Sequence, residues 1–222
     1  MIFHVINRGN DRGGIFDDDA DYAAFMRVLA ETLELVPGMR LLSYCLMPNH
    51  WHLVLWPRGG GELGRFVQRL TVTHVRRWHE HRRSTGRGHL YQGTYKSFPV
   101  QSDRHLVLLC RYVERNALRA GKVERAEQWL WSSLWLGQHT GTAPAKEFAG
   151  LLTEWPLQRP GDWAAFVNRA ETPAELAALR ESVRRGRPWG EPAWQQRTAK
   201  RLNLQATFRR RGRPRKNSSP RE

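Results

Sequence analysis

The sequence predicts an α+β fold with a ferredoxin-like βαββαβ core, an antiparallel sheet and additional C-terminal helices. Short apolar runs and longer amphipathic runs follow each other in the order β-α-β-β-α-β-α over the first half of the chain. Two of the apolar runs are separated by a single Pro-Asn pair, a spacing typical of a tight hairpin. The 222 residues, 40% of them hydrophobic, are enough to bury a core without disulfides or structural metals.

The first four elements follow from local patterns. Residues 2–7 form a continuous apolar run before a Gly-Asn-Asp turn, which predicts a buried strand. A helix is expected to begin at an N-cap within residues 17–19 and to end at Pro37-Gly38. Residues 40–47 and 50–56 are rich in β-forming residues and predict the two strands of the hairpin.

The remaining elements are a second helix from about residue 63, a mobile basic loop over 79–89, a strand over 91–100 and a third helix from 103 to about 118. The buried stripe of the third helix is predicted to contain Leu106, Leu109, Cys110, Val113 and Ala117. Beyond residue 121 the chain is rich in tryptophan. We therefore divide it into a core at 1–121, a helical accessory region at 122–200 and a basic tail at 201–222.

Positive charge is concentrated toward the C-terminus. The chain has 36 Lys plus Arg against 21 Asp plus Glu, and residues 180–222 hold 14 of the former and 3 of the latter. This excess predicts a polyanion-binding arm, because each cation that neutralises a phosphate releases counterions. Arg211 and Arg213 lie in an Arg-Gly-Arg-Pro sequence that resembles the minor-groove core of an AT-hook. A merely solubilising tail is the alternative.

Several protein classes are disfavoured by the composition. Cys45 and Cys110 lie in apolar runs without Cys-x-x-Cys spacing, which argues against a disulfide scaffold or a structural zinc site. The chain has no uncharged apolar run near eighteen residues, and its first ten residues lack a signal-peptide pattern. We therefore expect a cytoplasmic protein with no membrane partner.

Two histidines at alternate positions of the second hairpin strand are candidate metal ligands. Side chains alternate along a strand, so His50 and His52 should share one face while Trp51 and Leu53 point to the other. Two imidazoles on one face can share a divalent cation, but a catalytic site needs a third ligand. A structural role for the pair is equally frequent.

The third helix offers a tyrosine and an amide one turn apart. Tyr112 and Asn116 lie on one side of the predicted apolar stripe, and His105 and Arg119 fall on the same face. A tyrosine at the boundary of the core with a satisfied hydroxyl is the alternative reading for Tyr112.

These motifs together resemble the HUH nuclease superfamily, and most closely the REP-associated tyrosine transposases, which are related to single-strand insertion-sequence transposases. The resembling segments are residues 4–10, 44–53, 91–97, 111–121 and 131–134, with Arg-Gly-Arg-Pro sequences beginning at Arg185 and Arg211. Many family members have His-Leu-Asn-Pro where this chain has Glu-Arg-Asn-Ala at 114–117, a difference that keeps the tyrosine and the amide in register.

The resemblance implies a transposase that cleaves and rejoins palindromic repetitive hairpin DNA through a 5′-phosphotyrosine intermediate. Tyr112 would be the nucleophile, and His50, His52 and Asn116 would hold one Mg²⁺ or Mn²⁺. The substrate would be single-stranded or hairpin DNA in the bacterial cytoplasm, at the nucleoid. Its predicted contacts are Arg8, Asn10, Lys96, Arg111, Arg115, Arg119, Arg211 and Arg213.

Two other functions remain open from the sequence. One is a non-catalytic, sequence-specific DNA-binding protein of the same fold, and the other is a His-x-His metallohydrolase that uses water. Trp51, Trp56 and Trp78 fit either base stacking or the core, and the core is favoured. The sequence also leaves the oligomeric state open between a monomer and a dimer, and the additional C-terminal segment favours the monomer.

Overall fold

Four short apolar runs form one antiparallel sheet in the computed structural model, which describes residues 1–86 and 88–209. The strands are β1 (Ile2–Arg8), β2 (Leu41–Met47), β3 (His50–Leu55) and β4 (Lys96–Val100). Their order across the sheet is β2-β3-β1-β4, and each neighbouring pair is antiparallel. The α+β fold predicted from the sequence is confirmed.

Helices cover both faces of this sheet. On one face, α1 (Asp19–Leu35) and α2 (Glu62–His81) pack on residues such as Trp51. On the other face, α3 (Arg104–Glu114) packs on residues such as Phe98. The other helices are α4 (Asn116–Arg119), α5 (Ser133–Gln138), α6 (Ala143–Glu147), α7 (Trp163–Asn168), α8 (Pro173–Arg185) and α9 (Pro192–Arg201).

Side-chain caps start the helices at the predicted places. The Asp18 carboxylate accepts a hydrogen bond from the backbone N–H of Asp21 at the start of α1. The Asp103 carboxylate accepts one from the backbone N–H of His105 at the start of α3. Each cap satisfies a backbone donor that has no partner within its helix.

Three boundaries differ from the sequence prediction. β4 begins at Lys96 because the backbone bends before it, and Gly93 has a φ of +120°. α2 continues to His81 and takes the first part of the predicted loop. The predicted third helix is broken at Arg115, whose φ of −80° and ψ of 0° end α3 and begin α4.

Segments beyond α4 pair with the outer strands of the sheet. On the β2 side, the Leu46 backbone N–H donates to the carbonyl of Trp131, and that of Thr153 donates to the carbonyl of Leu41. On the β4 side, the Trp189 backbone N–H donates to the carbonyl of Pro99, and the Trp189 carbonyl accepts from the backbone N–H of Gln101. The region rich in tryptophan is therefore joined to the sheet through backbone hydrogen bonds as well as side chains.

The three tryptophans considered for base stacking lie in the hydrophobic core or pack against it. Trp51 is fully buried and donates its indole N–H to the hydroxyl of Tyr91 at 3.0 Å. The Trp78 indole donates to the carbonyl of Ile15 at 3.1 Å. Trp56 is covered by the Arg40 guanidinium, 3.3 Å from its ring centroid. The core reading of these residues is supported.

The length and polarity of the helices bear on whether the chain could span a membrane. Over the described part of the chain, every helix is too short or too polar to cross a bilayer.

A buried histidine in α2 should make the fold sensitive to acid. His74 is hydrogen-bonded to the Tyr91 hydroxyl at 2.6 Å, and burial lowers the pKa of His74 to about 3. Because the unfolded chain binds this proton more tightly, stability is lost as the pH falls below the ordinary value of 6.5. We expect His74→Asn to reduce the dependence of the unfolding free energy on pH by about 1.4 kcal/mol per pH unit in that range.

The measurement is denaturant unfolding of both proteins between neutral pH and the onset of acid unfolding. His89→Asn, at an exposed position, is the control and should leave the slope unchanged. An unaltered slope in His74→Asn would show that His74 is not held neutral by the fold.

Candidate active site

The hairpin presents the two histidines on the same side of the sheet. The Pro-Asn turn joins β2 to β3 in the register Met47 to His50, as the spacing predicts. The imidazole rings of His50 and His52 lie 5.0 Å apart between centroids and are nearly perpendicular. Trp51, between them, enters the core on the opposite face.

Both imidazoles are oriented by hydrogen bonds to their Nδ1 atoms. Nδ1 of His50 lies 2.7 Å from the amide oxygen of Asn49, and Nδ1 of His52 lies 2.8 Å from Nε2 of His4. This arrangement leaves the two Nε2 atoms as the ring atoms available to a ligand. His4 is fully buried on β1, and burial lowers its pKa to about 3.

Burial also keeps the histidine pair neutral. It is the main cause that lowers the pKa of His50 to about 4, and the positive charges of Arg8 and Arg119 act in the same direction. The pKa of His52 is held well below its ordinary value by burial and by its charged and histidine neighbours. Neutral imidazoles have free lone pairs at physiological pH, as metal ligands require.

Tyr112 and Asn116 approach these histidines from the opposing helices. The Tyr112 ring is perpendicular to the His52 ring, with 6.0 Å between their centroids. Nδ2 of Asn116 lies 3.4 Å from Nε2 of His50. The structure therefore brings together the four residues that the sequence singled out, although they come from a hairpin and from helices more than fifty residues away.

Arg119 fixes the positions of both helix residues. Its guanidinium lies 4.1 Å from the centre of the Tyr112 ring, and it donates to the backbone carbonyl of Tyr112 and to Oδ1 of Asn116. The same guanidinium is 3.1 Å from the carboxylate of Glu171, whose side chain is only 2% exposed. The ring of Tyr112 is thus held between an imidazole and a cation.

The other two arginines of this segment are also paired with carboxylates. Arg111 donates to Glu175 at 2.8 Å, and its side chain is 7% exposed. Arg115 lies 3.7 Å from Glu171. Their contacts link the tyrosine helix to the accessory region. A direct DNA contact by Arg111, Arg115 or Arg119 stays a prediction.

Glu114 makes a second link between α3 and its surroundings. This carboxylate is 1% exposed and accepts hydrogen bonds from the hydroxyls of Ser43 and Ser133 and from the indole of Trp163. These donors lie on β2, α5 and α7. One carboxylate therefore joins the sheet, the tyrosine helix and two accessory helices.

An open cleft of about 600 Å³ reaches Tyr112 from solvent. Tyr112 is 7% exposed: it belongs to the hydrophobic cluster beneath the sheet and also lines this cleft. The residues that line it are Ile6, Asn7, Arg8, Gln92, Thr94, Lys96, Tyr112, Arg180, Val183 and Arg184. The phenol is within reach of a ligand in the cleft.

The remaining predicted DNA contacts are dispersed. Arg8 and Lys96 line the cleft, and Asn10 is exposed in the turn that follows β1. Arg211 and Arg213 lie outside the described residues. His105, on the predicted face of Tyr112, bonds instead to Asp103 at the start of α3.

Several residues of the site carry no sequence signal that would reveal them. Glu171 and the α8 residues Arg180 and Arg184 reach the site only through tertiary packing. His4 could have been singled out from the sequence as a site residue, because it is a polar residue inside an apolar strand. Such a residue needs a buried partner, and His52 provides one.

The donor set fits a divalent cation in part. The described residues contain no group of three or more His, Cys, Asp or Glu side chains that could hold a metal ion. They do contain two neutral imidazoles beside an amide, with Nδ2 of Asn116 3.4 Å from Nε2 of His50. Oδ1 of Asn116 accepts from Arg119, so this amide must turn before its oxygen can join the imidazoles.

The family comparison covers the part of the chain that holds the candidate site. A family model described as "Transposase IS200 like" matches residues 1–116, a stretch that includes the histidine pair, Tyr112 and Asn116. The class defined by this fold and site is that of the transposases. The chain belongs to the IS200-like transposase family, and it is accordingly an enzyme of the DNA-cleaving type.

Two solved structures resemble the chain. One is a REP-associated tyrosine transposase bound to a REP hairpin, with 16% identity, 72% of this chain and 90% of that chain covered, and a TM-score of 0.49. The other is a presumed transposase from Deinococcus radiodurans R1, with 19% identity, coverage of 52% and 89%, and a TM-score of 0.40. No curated protein matches the chain.

Proposed function

We propose that this transposase is a metal-dependent single-strand DNA nuclease and strand transferase that uses Tyr112 as its nucleophile. The observation that carries the proposal is the meeting of Tyr112, which lines a cationic cleft, with the neutral pair His50 and His52 behind it. The sequence motifs favour the REP-associated branch of the family. The proposed substrate is therefore a palindromic repetitive hairpin with an unpaired flank.

In the proposed reaction, the Tyr112 hydroxyl attacks the scissile phosphorus in line with the departing 3′-oxygen. The bond from the phenol oxygen to phosphorus forms as the bond to the 3′-oxygen breaks. The phenol loses its proton and the 3′-oxygen gains one. The product is a 5′-phosphotyrosine and a free 3′-hydroxyl, which can attack in reverse and join strands without ATP.

The chain's own residues supply orientation and a place for the cation. His52 and Arg119 hold the phenol ring from two sides, which reduces the conformational cost of an in-line approach. His50 and His52 would hold Mg²⁺ or Mn²⁺ through their Nε2 atoms, with Asn116 as the third proposed ligand. The cation would polarise a phosphate oxygen and stabilise charge in the transition state.

The three-part division of the chain, into residues 1–121, 122–200 and 201–222, belongs to the same proposal. Glu175 contacts Arg111 and Glu171 contacts Arg119, and both arginines lie close to Tyr112. These contacts favour a role for residues 122–200 in holding the tyrosine helix in place. The proposed working unit is a monomer, in which the additional C-terminal segment supports the tyrosine helix.

The proposal is tested by capture of the covalent intermediate. Labelled single-stranded hairpins with randomised unpaired flanks are incubated with the protein and Mn²⁺, and denaturing gels separate protein-linked DNA from free DNA. We expect a protein-linked band that depends on the metal, and peptide mass mapping should place the DNA on Tyr112. DNA binding without such a band would favour a non-catalytic binding protein, and cleavage in which both DNA fragments are free of protein would favour a water-dependent metallohydrolase.

A further inference from the structure

Helix α8 forms a wall of the cleft that leads to Tyr112. Arg180, Val183 and Arg184 are spaced so that they share one face of this helix, and all three line the cleft. Leu179, one turn before Val183, packs into the cluster beneath the sheet, and Val183 lies at its margin. The helix lies outside the stretch matched by the family model, so its contribution is a feature of this chain's accessory region.

The position of α8 relative to the tyrosine is fixed at both ends. Near its start, Glu175 completes a capping box with Thr172 and accepts a hydrogen bond from Arg111, the residue before Tyr112. After its end, Trp189 pairs through its backbone with β4, the strand that begins at Lys96. The helix that carries Arg180 and Arg184 is therefore bonded to α3, which contains Tyr112, and is followed by a residue bonded to β4, whose first residue lines the cleft.

The residues that line the cleft carry a net positive charge. Its lining residues include the cations Arg8, Lys96, Arg180 and Arg184 and no carboxylate. Arg184 is paired with Glu181 at 2.5 Å, whereas Arg180 is exposed and has no hydrogen-bond or ion-pair partner within the described residues. Cations without partners in a concave surface attract a polyanion.

The shape of the cleft favours one class of polyanion. Its volume of about 600 Å³ suits a small number of nucleotide units, and Tyr112 within it is only 7% exposed. A flexible single strand can enter such a space, whereas the rigid duplex stem of a hairpin is too wide to bring a phosphate to this phenol. Polar lining residues such as Asn7, Gln92 and Thr94 can contact unpaired bases.

We propose that Arg180 and Arg184 bind the phosphodiester backbone of the unpaired DNA strand that reaches Tyr112. The cleft would then hold the strand between the core, through Arg8 and Lys96, and the accessory helix α8. The identity of the ligand as DNA rests on the proposed function, whereas the assignment of α8 as a strand-binding wall rests on the geometry of the cleft.

The test is a salt titration of strand binding in EDTA. Fluorescence anisotropy measures the affinity of labelled oligothymidine for the wild-type protein and for the double variant Arg180→Gln/Arg184→Gln. Two lost phosphate contacts should lower the slope of log affinity against log salt by about 1.4, and the affinity near 0.1 M salt by about 20-fold. A blunt-ended hairpin without unpaired flanks should lose less than about two-fold, since it cannot occupy the cleft.

The matched control removes two arginines of equal spacing from the other side of the sheet. Arg65 and Arg69 are exposed on α2, which covers the face opposite α3. Arg65→Gln/Arg69→Gln should change strand affinity by less than about two-fold. Equal losses in the two double variants, or equal losses for oligothymidine and blunt hairpin, would overturn the proposal. Melting temperatures of both variants should match wild type, because all four side chains are exposed.

The measurements distinguish an error in the assignment of α8 as a strand-binding wall from an error in the proposed reaction of Tyr112. If α8 binds the strand but Tyr112 is not a nucleophile, the α8 variant loses affinity and no protein forms a covalent adduct. If Tyr112 is the nucleophile but α8 is not a strand wall, the α8 variant keeps both wild-type affinity and adduct formation. Should both hold, saturating DNA should restore the adduct in the α8 variant.

Discussion

Tyr112→Phe is expected to reduce the covalent protein–DNA adduct by at least about 10³-fold while DNA affinity changes by less than about two-fold. The substitution removes only the oxygen that attacks phosphorus. The phenylalanine ring can still lie between His52 and Arg119, so the site should keep its shape. The measurements are the yield of protein-linked DNA with Mn²⁺ and the anisotropy of the same DNA in EDTA.

Tyr95→Phe is the matched control for the loss of a hydroxyl. Tyr95 is partly buried against the other face of the sheet and does not line the cleft. It should form wild-type levels of adduct. Cleavage that persists in Tyr112→Phe but is lost in His50→Ala would contradict the tyrosine mechanism and indicate an activated water as the nucleophile.

Glu114→Ala is expected to lower the free energy of unfolding by about 3–5 kcal/mol. The carboxylate is buried, and its removal leaves the hydroxyls of Ser43 and Ser133 and the indole of Trp163 without their acceptor. Each buried polar group left without a partner costs about 1–3 kcal/mol, and a cavity adds to the loss. Denaturant unfolding at neutral pH measures the difference.

Glu114→Gln separates the shape of this side chain from its charge. Burial raises the pKa of Glu114 above its ordinary value of 4.5, so the folded protein binds this proton more tightly than the unfolded chain. The stabilising contribution of Glu114 is therefore complete below that pH and is lost as the pH rises toward the folded pKa. Glu114→Gln should lose less stability than Glu114→Ala, and its deficit against wild type should shrink as the pH rises above 4.5. Equal losses in the two variants at neutral pH would show that the hydrogen bonds of Glu114 contribute little.

The core of the fold could be predicted because it depends on local patterns. The Pro48-Asn49 pair determined the hairpin register, and alternation along β3 placed His50 and His52 on one face. The segment before β4 could not be predicted in this way. Tyr91 makes an isolated antiparallel bridge to Gly9 and bonds through its hydroxyl to Trp51 and His74, and the backbone then bends at Gly93 before β4 begins. This interruption depends on long-range contacts that β propensity does not report.

The candidate site was predictable only where its residues carry recognisable chemistry in a recognisable spacing. Tyr112 and Asn116 stood out because they lie one helical turn apart and off the apolar stripe. Glu171 and Arg180 are ordinary charged residues in a region rich in charge, and nothing local distinguishes a buried carboxylate from a solvated one. Their roles follow from the packing of α8 and its preceding loop, which depends on contacts between distant parts of the chain.

The segments that run beside β2 and β4 also cover part of the two outer edges of the sheet. An outer strand with unpaired N–H and C=O groups is a template on which the strand of another molecule can add. Trp131 and Thr153 occupy part of that template on one margin, and Trp189 occupies part of it on the other. The margins of the sheet are therefore less open to the addition of a strand from a second molecule.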